Sequence, residues 1–241
     1  MKLNAQGNEL HFRKLNEQVR ACADREVVLE NCIGQRYIGS GLSGKHLEIY
    51  GTPGNALGAY LDGATITVHG NAQDATGDTM NDGTIYVHGA IGDAAGYAMR
   101  GGKIMVEGNA GYRAGIHMKA YKEKLPVLVI GGSAGSFLGE YQAGGIIIVL
   151  GIGARQVPVG NFCSTGMHGG KIFIRSAEPV KNLPPQVEIR RAEKEDLQEI
   201  EPYLSEFCQE FDKDQNKLMQ EDFWVLSSNT NNPYRQLYTA N

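Results

Sequence analysis

One stretch of the sequence combines a thiol with an imidazole. Cys163 and His168 lie close together in Asn161-Phe-Cys-Ser-Thr-Gly-Met-His168. A cysteine nucleophile needs an oriented base to take its proton and a cleft that admits substrate. The segment is also a degenerate copy of a glycine-flanked turn that recurs along the chain, and this context favours a buried structural cysteine. We therefore predict no catalytic residue here.

A second set of side chains could bind a metal ion. His69, His88 and Glu107 recur at intervals of 19 residues, and Tyr50 precedes them at the same interval. On strands stacked about 4.8 Å apart, two imidazoles and a carboxylate could share a cation. The sequence supplies no enclosing pocket for them, so a polar surface column is the preferred interpretation. No metal site and no cofactor site is predicted.

An acidic cluster could suggest calcium, because Asp74, Asp78 and Asp82 occur with two asparagines between positions 71 and 82. The glycine-aspartate nonapeptide of calcium-binding β-rolls is absent. Asx side chains also stabilise turns by bonding to nearby backbone. Turn formation is therefore the favoured interpretation of this cluster.

Paired glycines could suggest a phosphate-binding loop. Such a loop would occur once, between a strand and the start of a helix, whereas this chain repeats the pattern Gly-x-x-x-Gly several times. Glycine accepts positive φ and allows close backbone approach, so we predict that these are structural turn glycines. They are Gly54, Gly58, Gly92, Gly96, Gly111, Gly115, Gly135 and Gly139.

Short apolar strands separate these turns, and each strand ends in a glycine. The spacings are 19, 19, 19, 23 and 20 residues for Gly51, Gly70, Gly89, Gly108, Gly131 and Gly151. Side chains two apart on a strand share a face, so aligning these glycines gives two core columns. The first is Leu47, Ile66, Ile85, Ile104, Val127, Ile147 and Ile172, and the second is Ile49, Val68, Val87, Val106, Val129, Val149 and Ile174.

The 19-residue period leaves no room for a crossover helix between strands. Each strand should therefore pair in register with the next one. The predicted fold is all-β, a single-stranded right-handed parallel β-helix of about seven coils of 19–23 residues. An N-terminal helical cap is expected at 1–25, the β-helix at 26–178, and an acidic helical C-terminal extension at 179–241.

The flanking segments refine this division. Helical spacing of apolar residues predicts a short helix at Arg13–Ala23 and an amphipathic helix at Glu193–Asp212, which Pro202 should kink or split. Strands are expected at Glu26–Glu30 and Val187–Arg190. The segment from Phe223 onward is too irregular to assign.

One column of the strands is predicted to face outward and becomes apolar in the later repeats. It contains Met105, Leu128, Ile148 and Phe173. Exposed, it would promote aggregation, so either the C-terminal helices or a partner subunit should cover it. The insertion Met118–Lys124 interrupts the repeat, and it is either a partner-binding loop or a solvated charged loop.

Composition excludes several classes of protein. The net charge is −4 without a basic cluster, which disfavours a nucleic-acid or membrane-surface partner, and no apolar run could span a bilayer. Four scattered cysteines give neither a metal motif nor a disulfide framework. A cytoplasmic location is expected. The acidic charge lies in residues 181–241, whose net charge is −5.

The repeated strands and turns resemble the GXGXG domain, which is found at the C-terminus of the glutamate synthase large subunit and in one of the subunits of formylmethanofuran dehydrogenase. The segment that best shows the resemblance is Gly92-Asp-Ala-Ala-Gly96 followed by Gly101-Gly-Lys-Ile-Met-Val106-Glu-Gly108-Asn-Ala-Gly111. The stretches starting at Leu10 and Gly34 are more similar to the glutamate synthase branch.

The resemblance implies a non-catalytic structural subunit of a glutamate synthase-type complex, with no cofactor of its own. Its partners would be an FMN-dependent glutamate synthase subunit and a glutamine amidotransferase subunit. The chain begins Met1-Lys2 rather than with the cysteine nucleophile of the amidotransferase. Two alternatives remain, a scaffold like the GXGXG subunit of formylmethanofuran dehydrogenase and an autonomous β-helix enzyme acting on a polymer. Self-association is also left open.

Overall fold

The computed structural model describes residues 1–5 and 11–229 of the 241-residue chain. Residues 6–10 of the predicted cap, and Leu10 with them, lie outside the described residues, as do residues 230–241 of the predicted extension. The helices are α1 (Phe12–Ala21), α2 (Lys194–Glu210) and α3 (Gln215–Leu218). The strands are β1 (Lys2–Asn4), β2 (Glu26–Ile33), β3 (His46–Thr52), β4 (Asp62–His69), β5 (Asp82–Val87), β6 (Lys103–Val106), β7 (Val127–Ile130), β8 (Ala143–Val149), β9 (Gly169–Arg175), β10 (Val187–Arg191) and β11 (Phe223–Ser228).

The strands form one mixed sheet of eleven strands in the order β1 to β9, then β11, then β10. The prediction of a right-handed parallel β-helix of about seven coils is therefore wrong. The period correctly indicated that consecutive strands pair in parallel from β2 to β9. It carried no information on the strands outside the repeat, and β11 inserts antiparallel between β9 and β10.

The register brings aliphatic side chains together along the sheet. Ile66 pairs with Leu47 and with Ile85, and Ile85 pairs with Ile104. Every residue of both core columns from β3 to β6, and from β8 and β9, is buried. The eight residues predicted as core ladders are fully buried: Ile66, Ile85, Ile104, Ile147, Val68, Val87, Val106 and Val149.

The predicted register is wrong at β7. Ile104 pairs with Leu128 and Met105 with Val129, whereas the sequence alignment had placed Val127 beside Ile104. The sequence has a glycine pair here, and the structure aligns Gly132, rather than Gly131, with Gly108. A shift of one residue moves each side chain to the other face. Leu128 therefore belongs to the main core, while Val127 and Val129 face the helices.

The inner face of the sheet is covered by the glycine-flanked turns themselves. Leu57, Ala95 and Leu138 from three of these turns join the core columns in a single apolar cluster. Isolated parallel bridges continue along the segments that lead into the turns, for example Ala72 to Ile91 and Ile91 to Ala110. The turns therefore form a second layer that follows the order of the strands.

The outer face of the sheet is covered by the C-terminal part of the chain. Met105, Ile148 and Phe173, which were predicted as a partner surface, are fully buried in a second cluster. The covering residues, from α2 to α3, are Ile200, Leu204, Phe207, Cys208, Phe211 and Leu218, and β11 adds Phe223 and Val225 to the outer face itself. Of the two covers considered from sequence, the C-terminal elements supply it, so this column is not available to another chain while they are in place.

The helices differ from expectation in detail. Pro202 lies inside α2, but the helix continues through it rather than splitting in two.

Arg190 on β10 forms a pair of hydrogen bonds with Asp196 near the start of α2, and Arg190 Nη2 lies 2.9 Å from Asp196 Oδ1. Asp196 also accepts from the Glu193 amide at 2.9 Å and completes a capping box at the start of α2.

These contacts predict a pH-dependent loss of stability in Asp196→Asn. The hydrogen bond from Arg190 holds the pKa of Asp196 below its ordinary value of 3.8. Because the unfolded carboxyl binds protons more readily, its contribution is full above about pH 5 and is lost as the pH falls below about 4. We expect the variant to lose about 2 kcal/mol of unfolding free energy at pH 7 and much less at pH 3. Urea unfolding at both pH values measures this, and an equal loss at both would contradict it.

Candidate functional site

The glycine-flanked turns lie side by side and form a ridge, which we call the turn ridge. It comprises residues 34–42, 54–61, 73–80, 92–99, 111–118, 135–142 and 160–167. In each glycine pair the two positions have different roles. A Cβ on the first glycine would overlap the neighbouring turn, as at Gly92 against Asp74 Oδ1 and at Gly111 against Asp93 Oδ1.

The second glycine of each pair has a left-handed backbone and rests on the core. Gly58 and Gly139 both have φ of +63°, and a Cβ on either would stand 2.6 Å from the Cδ1 atom of an isoleucine, Ile85 or Ile172. No other residue type meets both conditions without strain. The sequence predicted turns at these glycines but did not reveal that the two positions are used differently.

Single alanine substitutions can separate the cost of close approach between turns from the cost of a left-handed backbone. Gly111→Ala should lose about 3 kcal/mol of unfolding free energy, because the methyl group displaces Asp93 Oδ1 from its hydrogen bond with the Tyr112 amide. Gly41→Ala is the control, since Gly41 has φ of +64° with nothing near its missing Cβ, and should lose about 1 kcal/mol. Urea unfolding measures the loss of unfolding free energy in both variants. Equal losses would show that the close approach of neighbouring turns does not contribute to stability.

The acidic cluster contributes to the turns. Asp74 Oδ1 accepts from the Asp93 amide at 2.9 Å, and Asp93 Oδ1 accepts in the same way from Tyr112. Asp78 accepts from Thr79, and Asp82 bonds to the Gly83 amide. The carboxylates are thus hydrogen-bonded to backbone and hydroxyl groups, which supports the turn interpretation over calcium binding.

The histidine column is a stacked surface array. The ring of His69 lies 4.4 Å from Tyr50 and 5.3 Å from His88, and His88 meets Phe211 edge-on at 4.9 Å. Each of the two imidazoles pairs with a carboxylate, and His88 Nε2 lies 2.9 Å from Glu210 Oε1. Glu107 pairs instead with Lys213 at 2.8 Å. Within residues 1–5 and 11–229, no group of three or more His, Cys, Asp or Glu could hold a metal.

The thiol of Cys163 is buried in the core, with 3% of the residue exposed. Burial raises the pKa of this thiol to about 11, and its nearest polar contact is Ser164 Oγ at 3.5 Å. His168 Nδ1 lies 3.1 Å from the carbonyl oxygen of Gly166. A protonated, inaccessible thiol cannot act as a nucleophile, which supports the structural interpretation.

The insertion in the repeat forms an ordered turn. Tyr121 and Lys124 exchange two backbone hydrogen bonds of 3.1 and 3.0 Å. Lys124 Nζ reaches back across the sheet to Asp82 Oδ2 at 3.0 Å and to Asp62 Oδ1 at 3.4 Å. The loop therefore has a fixed position beside the turn ridge.

A second loop was missed from sequence. It spans residues 151–158, between β8 and the last turn, and it borders a cavity of about 640 Å³ beside Arg175 and Glu221. Arg175 is nearly buried and bonds to the carbonyls of Leu150 and Leu218 and to Glu221. Its charge and its hydrogen bonds are thus satisfied within the chain. The spacing of 20 residues between Gly131 and Gly151 had concealed this loop, because the extra residues follow the glycine.

The sequence also shows the family of the protein. Residues 14–230 match the GXGXG motif family, which covers most of the chain. The protein is a member of the GXGXG motif family. The resemblance drawn from the repeated turns is thereby confirmed.

Two comparisons place this GXGXG protein among relatives. An uncharacterised protein of Methanocaldococcus jannaschii is 46% identical over 245 residues, covering 96% of this chain and 94% of the relative. A chain of the formyltransferase/hydrolase complex FhcABCD from Methylorubrum extorquens, solved with methylofuran, superposes with a TM-score of 0.63. That match is 23% identical, covers 83% of this chain and 72% of the other, and shows similarity of fold.

None of the described helices of this GXGXG protein has the length and apolar character needed to cross a bilayer.

Proposed function

We propose that this protein is a non-catalytic structural subunit of a multi-subunit enzyme complex of the glutamate synthase type. The observation that carries the proposal is the role of the paired turn glycines. The paired glycines pack against neighbouring turns and against core isoleucines, so what the GXGXG pattern encodes is architecture. A chain whose repeated residues serve its architecture is suited to holding other proteins in place.

The glutamate synthase branch is supported by sequence. The stretches beginning at Leu10 and Gly34 resemble that branch. The partners would be an FMN-dependent glutamate synthase subunit and a glutamine amidotransferase subunit, which would carry the flavin and the nucleophile. The four cysteines are unpaired, which fits a reducing cytoplasm.

A second candidate is a scaffold in a complex related to formylmethanofuran dehydrogenase. The fold similarity to a chain of the FhcABCD formyltransferase/hydrolase complex favours it. Both candidates give the chain the same role and differ in the enzymes that it would hold.

Purification from the native host tests the proposal. The chain is tagged at its chromosomal locus, isolated at modest salt and analysed by native mass spectrometry. The control is a Val106→Asp chain, which should lose the fold and with it any specific partner. Co-purification of a flavin-containing synthase with an amidotransferase in fixed stoichiometry is the expected result.

The other outcomes are equally informative. Fixed association with a formyltransferase or a molybdopterin-type subunit would replace the first candidate by the second. Recovery of the folded chain without a stoichiometric partner would refute the subunit role.

A further inference from the structure

A cleft lies on the turn ridge, with the insertion as one wall. Its volume is about 280 Å³, and it is lined by Ala98, Arg100, His117, Lys119, Ala120 and Tyr121. We call it the insertion cleft. Its position is fixed, because Lys124 anchors the insertion to Asp82 and the amide of Lys119 donates to the Met99 carbonyl at 3.0 Å.

The insertion cleft carries positive charge without internal compensation. Two neighbouring cations are paired, Lys103 with Glu206 and Arg113 with Glu140. Within the described part of the chain, Arg100 and Lys119 form no ion pair, and both are exposed. Lys122, at the tip of the insertion, adds a third cation, and Glu123 beside it is the acidic residue of the loop. The cleft is therefore locally basic in a protein of net charge −4.

The same cleft is lined by planar and small side chains. The guanidinium of Arg100 lies 5.9 Å from the ring centroid of Tyr121, and Arg100 is exposed. His117 is stacked on Tyr141 at 5.2 Å and meets Tyr97 edge-on at 5.9 Å. Ala98 and Ala120 also line the cleft. A guanidinium can bind a carboxylate with two hydrogen bonds, and the faces of aromatic rings accept a narrow apolar or aromatic side chain.

We propose that the insertion cleft is the docking site for an acidic segment of a partner polypeptide in the complex. The segment would place a carboxylate on Arg100 and Lys119 and a neighbouring apolar or aromatic side chain between Tyr121 and His117. This inference rests on the proposed function, because it names the surface by which the subunit holds a partner. Charge complementarity selects an acidic partner, since two unpaired cations would repel a basic one.

The test compares charge reversals in the full-length chain in the native host. The double variant Arg100→Glu with Lys119→Glu reverses the two charges that would bind the partner's carboxylate. Lys14→Glu with Arg155→Glu is the matched control, because it makes the same change of charge at two exposed residues outside the cleft. A photo-crosslinking residue replaces Lys122 in a third version, so that the bound peptide can be sequenced. Equal melting temperatures, measured by circular dichroism, verify folding.

The cleft variant is expected to recover at least tenfold less partner than the control, and recovery by the wild type should fall as salt rises. Arg100→Lys with Lys119→Arg, which keeps both charges, should retain partner recovery close to the wild type. The crosslinked peptide should contain several Asp or Glu residues.

Failure of the inference and failure of the proposed function give different results. Partner recovery that is equal in the cleft variant and the control overturns the docking site and leaves the subunit role intact. A crosslink to a non-acidic segment, or to a second copy of this chain, also overturns it. If the folded wild type recovers no stoichiometric partner, both the subunit role and the docking site fall.

Discussion

Replacing Val106 by aspartate should destabilise the protein by about 4–5 kcal/mol or more. Val106 is fully buried and pairs with Val87 on one side and Ile130 on the other. In this environment a carboxylate finds no hydrogen-bond donor, and burying it unpaired costs several kcal/mol even if it takes up a proton. Because paired strands hold the side chain in register, it cannot turn toward solvent without breaking the sheet.

The measurement is the melting temperature by circular dichroism, together with urea unfolding. Thr84→Asp serves as the control, because Thr84 is half-exposed, lies on the other face of the sheet, and pairs with Lys103. It should change the unfolding free energy by less than about 0.5 kcal/mol. Similar melting temperatures for Val106→Asp and the wild type would show that the core column is assigned to the wrong face.

The sequence predicted the central strands because their period and their apolar alternation agree. From β3 to β6 every paired residue of the core columns lies where the alignment placed it. The prediction failed at β7, where Gly131 and Gly132 offer two alignments that differ by one residue. Alternation alone cannot choose between them, since Val127, Leu128, Val129 and Ile130 are all aliphatic and all buried.

The fold class could not be obtained from the repeat alone. Residues 223–228 lack a strong alternating pattern, yet they form β11 because β9 offers them an unpaired edge. The insertion cleft shows a similar limit. The sequence singled out the insertion, but not Arg100 and His117, because their proximity to it arises from pairing between successive turns.

Replacing Phe207 by alanine should have the second large effect, a loss of about 4 kcal/mol of unfolding free energy. Phe207 is fully buried at the centre of the cluster between α2 and the sheet. Its ring lies 4.8 Å from that of Phe211, and its Cζ atom is so close to Gly131 that a Cβ there would stand 2.9 Å away. Truncating the ring therefore leaves a cavity that neither the glycine nor the rigid sheet can fill.

The same substitution should expose the outer face of the sheet. As α2 loosens, Met105, Ile148 and Phe173 become accessible, so we expect binding of the dye ANS, faster proteolysis within α2 and aggregation at high protein concentration. Gln198→Ala, on the exposed side of α2, is the control and should change none of these. If Phe207→Ala loses stability without ANS binding or proteolysis, α2 is not what keeps this apolar face from water, and another part of the chain must cover it.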